Sequence, residues 1–459
     1  MRSLTWTAAI WAVVLIFIAR GSLREILHKP ESGWSMERLA IVLVLLGSFT
    51  NAAKATANEV LADPVILERV VRGALVLLGG LVVAPSLLRN LRSAGTRIGP
   101  GLTALWAYIL VAALSVLYSV APIVTAPKVV ELLVGLAIIT SIATSSAPKE
   151  HLRQAIQFIV ILEAALITTA VIGFFVRPGT FAMIGYRPGF LLPTTMGSPW
   201  ASSNSLSASA GLVAAYALAS YFRGGTLRVR AGWMTLFAIG TIGTVLASGR
   251  QGVAIWMVAI GILLWLHRRR LFLLLLGPAT LGMVFLNWQQ LLSILSRNQS
   301  AQSLALLTGR VRFWTAALSS LAAHPWTGFG FGAGGRFVAL RSIGEGSRSN
   351  LHSGYLEALL GVGLIGTILL LFAVVWAAWW SVRQLRRRIR THYAILIVPL
   401  ILHTFVDLGF GAWLKADFLL LASLVALADL DRRASRIARA QPPDLDSSRW
   451  LTDSRRGRR

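Results

Sequence analysis

The sequence predicts an all-α, polytopic integral membrane protein with about 12–13 transmembrane helices and one large external loop carrying short amphipathic helices. Three observations carry that prediction. The 459-residue chain is 56% hydrophobic and only 14% charged, with a mean hydropathy of +0.69. Its apolar runs recur at about the twenty-residue length that crosses a bilayer. Its basic clusters fall in alternate loops between those runs, as the positive-inside tendency requires. Only helices and closed barrels satisfy every backbone polar group in lipid, and the period-2 alternation of a barrel is absent.

In chain order the expected spans are Leu4–Ala19, Leu39–Ala53, Val65–Leu88, Gly101–Ala121, Lys128–Ser146, Leu152–Val176 and Ser202–Phe222. Then come Gly232–Ala247, Val253–His267, Leu271–Trp288, Gly354–Val382, Tyr393–Leu408 and Ala412–Leu430. Leu4–Ala19 reads as a retained first span, because no small-residue cleavage site precedes a soluble domain. One topology places the clusters at Arg20/Arg24/Lys29, Arg89/Arg92/Arg97, Lys149/Arg153, Arg223/Arg228/Arg230, Arg268–Arg270 and Arg383–Arg390 in the cytoplasm. The chain then divides into N-terminal membrane helices (1–288), a periplasmic loop (289–353), C-terminal membrane helices (354–431) and a basic tail (432–459). The tail has Pro442-Pro443, many arginines and no apolar periodicity, which reads as a disordered, lipid-facing end.

The formal charge of +26 does not imply nucleic acid. Most Lys and Arg flank spans, where they orient the chain and meet anionic lipid, and no basic soluble domain interleaved with aromatics exists to hold a strand. The chain has no cysteine, which excludes disulfide and thiolate chemistry.

Loop 289–353 breaks the charge rule. It holds Arg297, Arg310, Arg312, Arg336, Arg341 and Arg348 against one acid, Glu345, on the side where basic residues should be scarce. An anionic ligand is the natural reason. Other outer-side residues extend the cluster. Ser248-Gly249-Arg250 is a tight turn between two apolar helices, where Arg250 either snorkels to the interface or contacts an anion from a rigid hairpin. Arg310 and Arg312 open an amphipathic stretch with Phe313, Trp314, Ala317, Leu318 and Leu321 on one face, expected to lie on the membrane surface. Helix dipole and backbone N–H groups there favour an anion, whether substrate or lipid phosphate. Arg187 is either a further member or a solvated loop residue.

The glycines of Gly328-Phe329-Gly330-Phe331-Gly332 read as a loop hugging the membrane or a lipid-linked substrate. They do not form a dinucleotide site, because no strand precedes them. His352 closes the loop and is the candidate general base. Glu357, an intramembrane acid, is its candidate partner or a structural counter-ion. Neither Asp429-Leu430-Asp431 nor Asp444-Leu445-Asp446 lies near the outer cluster, and no His/carboxylate grouping outside suggests a metal.

Four features in order then resemble the bacterial O-antigen ligase and O-antigen polymerase superfamily. They are Arg187-Pro188-Gly189 … Asn204, the Ser248-Gly249-Arg250 hairpin, Thr308-Gly309-Arg310-x-x-x-Trp314 running to Pro325-x-x-Gly328-x-Gly330, and His352-Ser353-x-x-Leu356-Glu357 followed by Gly361-x-Gly363-x-x-Gly366. Ser353 departs from the pattern, which often has Asn after the His.

The resemblance implies a metal-independent, inverting glycosyltransferase of the inner membrane with its active site facing the periplasm, and no cofactor. It would take a glycan from undecaprenyl pyrophosphate and pass it to an acceptor hydroxyl. Ligation to lipid A-core oligosaccharide is the first expectation. Polymerisation onto another glycan and protein O-glycosylation are alternatives within the family, and a lipid-linked glycan flippase is the distant one. Carried over, Arg187, Arg250 and Arg310 bind pyrophosphate and His352 deprotonates or orients the acceptor. Arg312, Glu357, Arg336 and Arg348 are supporting candidates. Charges in mid-span are few, Glu68, Arg69, Arg72 and Glu163 being the clearest, which weighs against a translocation path.

Overall fold

A computed structural model of the chain describes residues 34–49, 67–93, 98–183, 194–198, 201–267, 310–346, 350–411 and 414–440. Its long helices are α1 (Trp34–Phe49), α2 (Leu67–Ser93), α3 (Pro100–Leu114), α4 (Pro122–Ala143), α5 (Pro148–Val176) and α6 (Ser203–Phe222). They continue as α7 (Leu227–Ala247), α8 (Arg250–Leu266), α9 (Arg310–Leu321), α10 (Gly354–Arg386), α11 (Ile397–Val406) and α12 (Ala416–Ala440). A two-residue antiparallel ladder, Ala182–Met183 with Thr195–Met196, is the only strand pairing among the described residues.

Seven of these helices are long and apolar enough to cross a membrane, and the chain is an all-α polytopic membrane protein. Helix α8 and the stretch Thr391–Val406 are shorter apolar segments. The expected spans at Leu4–Ala19 and Leu271–Trp288 lie outside the described residues.

The starts of the helices follow their sequences. Pro100, Pro122 and Pro148 sit in the first turns of α3, α4 and α5, where the missing N–H has no helical acceptor to lose. Ser202 and Thr226 cap α6 and α7, each side chain accepting from a backbone N–H three residues on. Small residues set the central packing. Buried Ala210, Gly211, Ala214 and Ala215 on α6 let α7 and α8 approach backbone to backbone, and a Cβ at Gly211 would stand 3.0 Å from the Gly252 carbonyl.

The predicted charge segregation is built into the packing. At one end Asp431 pairs with Lys149 at 2.9 Å and Arg390 at 2.6 Å, so basic loops far apart in sequence share one pole. Gly99 and α3 dock there too, with Asp429 accepting from the N–H groups of Gly101 and Leu102. The other pole receives the segment after α9.

That segment does not lie along the membrane surface. Phe329 N–H donates to Leu360 O at 2.8 Å, Gly330 N–H to Gly361 O at 2.9 Å and Leu364 N–H to Pro325 O at 2.9 Å, pinning the glycine loop along α10. Helix α10 makes room by departing from helical geometry at Gly363 (φ 63°), where a Cβ would strike the Trp326 carbonyl. Phe331 is fully buried edge-on to Tyr108, and its N–H donates to Ser115 Oγ at 2.9 Å. The sequence expectation of a surface-hugging loop is therefore corrected: alternating glycines let the backbone enter the bundle. Helix α9 likewise turns Phe313, Ala316 and Ala317 onto Leu340, Leu351 and Leu360 of the chain itself, leaving Leu318 exposed.

Below this loop Arg72 and Glu131 form a buried bidentate pair at 2.6 and 2.5 Å between α2 and α4. Arg72→Gln strands a buried carboxylate and is expected to cost about 3–5 kcal/mol. Thermal unfolding in detergent checks this, and Arg72→Met with Glu131→Leu should recover most of the loss.

Candidate functional site

The segment after the glycine loop ends at His352, whose backbone is held from both sides. Leu351 N–H donates to Glu357 Oε1 at 2.7 Å, and Leu351 O accepts from Trp314 Nε1 at 3.2 Å. His352 itself is left-handed (φ 55°), and its N–H donates to Asn350 Oδ1 at 2.9 Å. A bulky residue rarely adopts that conformation without a constraining environment. Here it turns the imidazole out of the chain path, just before α10 begins.

The imidazole faces Asp407. His352 Nδ1 lies 3.8 Å from Asp407 Oδ1, an ion-pair distance and longer than a hydrogen bond. Asp407 follows α11, and its carbonyl accepts from Gly354 N–H at 2.8 Å, which ties the start of α10 to the end of α11. Its carboxylate is 95% hidden, so it must be compensated. Oδ1 accepts from Leu408 N–H at 2.9 Å, and Oδ2 accepts from Ser205 Oγ at 3.1 Å and Gln251 Nε2 at 3.4 Å. His403 Nε2 stands 3.7 Å from Oδ2 while its Nδ1 contacts Asp417 at 2.9 Å. Three helices, α6, α8 and α11, and the segment that leads into α10 thus meet at one carboxylate.

Arg310, in α9, lies within electrostatic reach of Asp407. Burial pulls its guanidinium below the usual arginine range while the Asp407 charge works the other way. It stays cationic at any physiological pH, since arginine starts so high. Arg250 is the first residue of α8, beside Gln251. Its hairpin is fixed by left-handed Ser248 (φ 51°) and by Ser207 Oγ, which donates to Gly249 O at 3.1 Å. Gln251 Nε2 also donates to Asn204 O at 3.1 Å, joining the hairpin to the first turn of α6.

The remaining expected residues stand apart or outside. Arg312 is 63% exposed and turns to Ile343 O at 2.9 Å and Glu345 at 3.9 Å. Arg336 lies over the Phe337 ring, 5.4 Å from its centroid, near half-buried Lys128. Glu357 faces the Leu351 N–H and the Lys128 charge, so the carboxylate directly beside the imidazole is Asp407. Arg187 and Arg348 lie outside the described residues.

Asp407, His403, Ser205 and Gln251 escaped the sequence reading. A signal existed for two of them: His403 and Asp407 stand one turn apart in an otherwise apolar run, and intramembrane ionisable residues are functional candidates.

Residues 235–371 match the family described as O-antigen ligase. Over that segment the chain is similar to the O-antigen ligase/polymerase superfamily. The matched segment is under a third of the chain, yet it contains Arg250, Arg310 and His352. The match supports glycan transfer of the O-antigen ligase and polymerase type in general. No curated protein matches the chain.

Asp407→Asn keeps the shape of the node and removes its charge. It should lower glycan transfer by at least about tenfold, whereas Ser205→Ala should cost only a few-fold because Asp407 keeps its other donors. Steady-state transfer by the purified variants checks both.

Proposed function

We propose that this protein transfers a glycan from undecaprenyl pyrophosphate to an acceptor hydroxyl at the periplasmic face, and that the acceptor is lipid A-core oligosaccharide. One observation carries the reading: an imidazole held beside a buried carboxylate shares a pole with Arg310, which lies within electrostatic reach of that carboxylate, and with Arg250, which opens a helix.

The chemistry follows from charge. The acceptor oxygen attacks the anomeric carbon as the bond from that carbon to the pyrophosphate oxygen breaks. The electron pair leaves with the pyrophosphate, so negative charge grows there. A guanidinium at a helix N-terminus adds to the positive dipole end instead of opposing a negative one, an arrangement costly without an anion and favourable with one. Arg250 has it, and the planar donors of Arg250 and Arg310 suit phosphate oxygens. With Arg187, they are the residues assigned to the leaving group.

His352 takes the acceptor proton. Nδ1 turns to Asp407, which leaves Nε2 for the hydroxyl and favours the tautomer with the proton on Nδ1. Asp407 then stabilises the imidazolium formed as the proton arrives. Catalytic contacts of this kind are often long before substrate binds. The basic clusters gathered at the opposite pole support a cytoplasmic position for that end and a periplasmic one for His352.

His352→Ala should lower transfer by about 10²–10⁴-fold with expression and thermal stability unchanged. Purified protein in detergent, given carrier-linked glycan and lipid A-core acceptor, is the assay. Transfer there by the wild type excludes a pure transporter, and wild-type turnover in the variant would sink the catalytic role of His352. Product mass with each acceptor in turn separates ligase from polymerase.

Arg250→Ala and Arg310→Ala should each lower transfer by about 10²-fold. Full rescue by Lys at either position would show that charge alone suffices.

A further inference from the structure

The pole opposite His352 contains a cavity of about 450 Å³ that glycan transfer does not use. Helix α6 joins the two places. Ser205 at its first turn reaches Asp407, and Arg223 follows its last residue. Its 20 residues rise about 30 Å, the thickness of the hydrocarbon layer, so the cavity opens at the other leaflet.

Two polar groups in the cavity wall have donor capacity to spare. Arg223 is exposed at the mouth and contacts His392 Nε2 at 3.4 Å, and among the described residues no carboxylate pairs with it. Nearby acids are taken: Glu150 pairs with Arg153, and Asp431 with Lys149 and Arg390. Arg153 and Arg390 also lie within electrostatic reach of His392, so the surroundings are net cationic. Deeper in, Ser220 Oγ is buried beside the Tyr216 hydroxyl, without a well-formed hydrogen bond. A buried hydroxyl without a partner is costly. A guanidinium and a hydroxyl aimed into one cationic cavity make a phosphate-oxygen site.

The lip of the cavity points to a lipid. It is formed by the start of α7, the least buried of the spanning helices, where Leu227 is 85% and Val229 47% exposed. Acyl chains can lie along that apolar face while Trp233 stands at the interface. We propose that this cavity binds the phosphodiester of an anionic phospholipid in the leaflet opposite the transfer site.

The test uses the full chain, delipidated in detergent and titrated with phosphatidylglycerol or phosphatidylcholine under native mass spectrometry. The wild type should hold phosphatidylglycerol about fivefold more tightly. Arg223→Gln should erase that preference, and Arg228→Gln, at the same pole but not lining the cavity, should keep it. If Arg223→Gln does not fold, Ser220→Val, which removes the second donor, carries the same expectation. Equal binding of the two lipids by the wild type, or an unchanged preference in Arg223→Gln, overturns the proposal. Equal loss in Arg228→Gln would mean diffuse attraction only. Displacement of the lipid by an equal concentration of inorganic phosphate would mean a free-phosphate site.

Discussion

A buried carboxylate in a low-dielectric bundle has to be surrounded by donors, and Asp407 imposes that requirement on three helices and the segment before α10 at once. Ser205, Gln251, His352 and His403 converge because each relieves part of the same desolvation cost. The Asp407 backbone adds a mechanical constraint, since its carbonyl holds the first N–H of α10. The position of His352 is therefore a consequence of how the bundle closes, and is not left to a mobile loop. A reacting group needs that kind of support if it is to meet an acceptor hydroxyl in a narrow range of geometry.

The glycine loop serves the same end from the other side. Its threading along α10 requires the break at Gly363 and the close approach of Gly330 and Gly361. In return it fixes Leu340 and the walls around Leu351, on which α9 packs. Arg310 is thereby delivered to the neighbourhood of Asp407 by a helix docked on protein. The amphipathic pattern of α9 was legible in sequence, but periodicity alone does not distinguish lipid from protein as the partner of an apolar face.

Polarity along the membrane normal shapes both ends differently. The basic pole gathers excess arginine around a few acids, among them Asp431, whose carboxyl burial pushes up and whose bonds to Lys149, Trp380 and Arg390 bring below the usual range. The opposite pole sets Arg250, at a helix start, and Arg310 on the side of the His352–Asp407 pair. An anion suits both poles, and at the second an imidazole faces a buried carboxylate.

Composition, run length and the alternation of basic loops were enough to give the class of the protein and its division into two charged poles, because the bilayer enforces those features on any chain. Arg250, Arg310 and His352 were also visible, since charge in an outer loop and a lone histidine before a span are local anomalies. The partnership of His352 was not. Glu357 lies five residues away and Asp407 fifty-five, yet Asp407 faces the imidazole while Glu357 binds the Leu351 N–H. Sequence distance records none of the helix crossings that decide which carboxylate is near. Those crossings depend on small-residue contacts such as Gly211 with Gly252 and on the kink at Gly363, and these act only when the whole bundle packs.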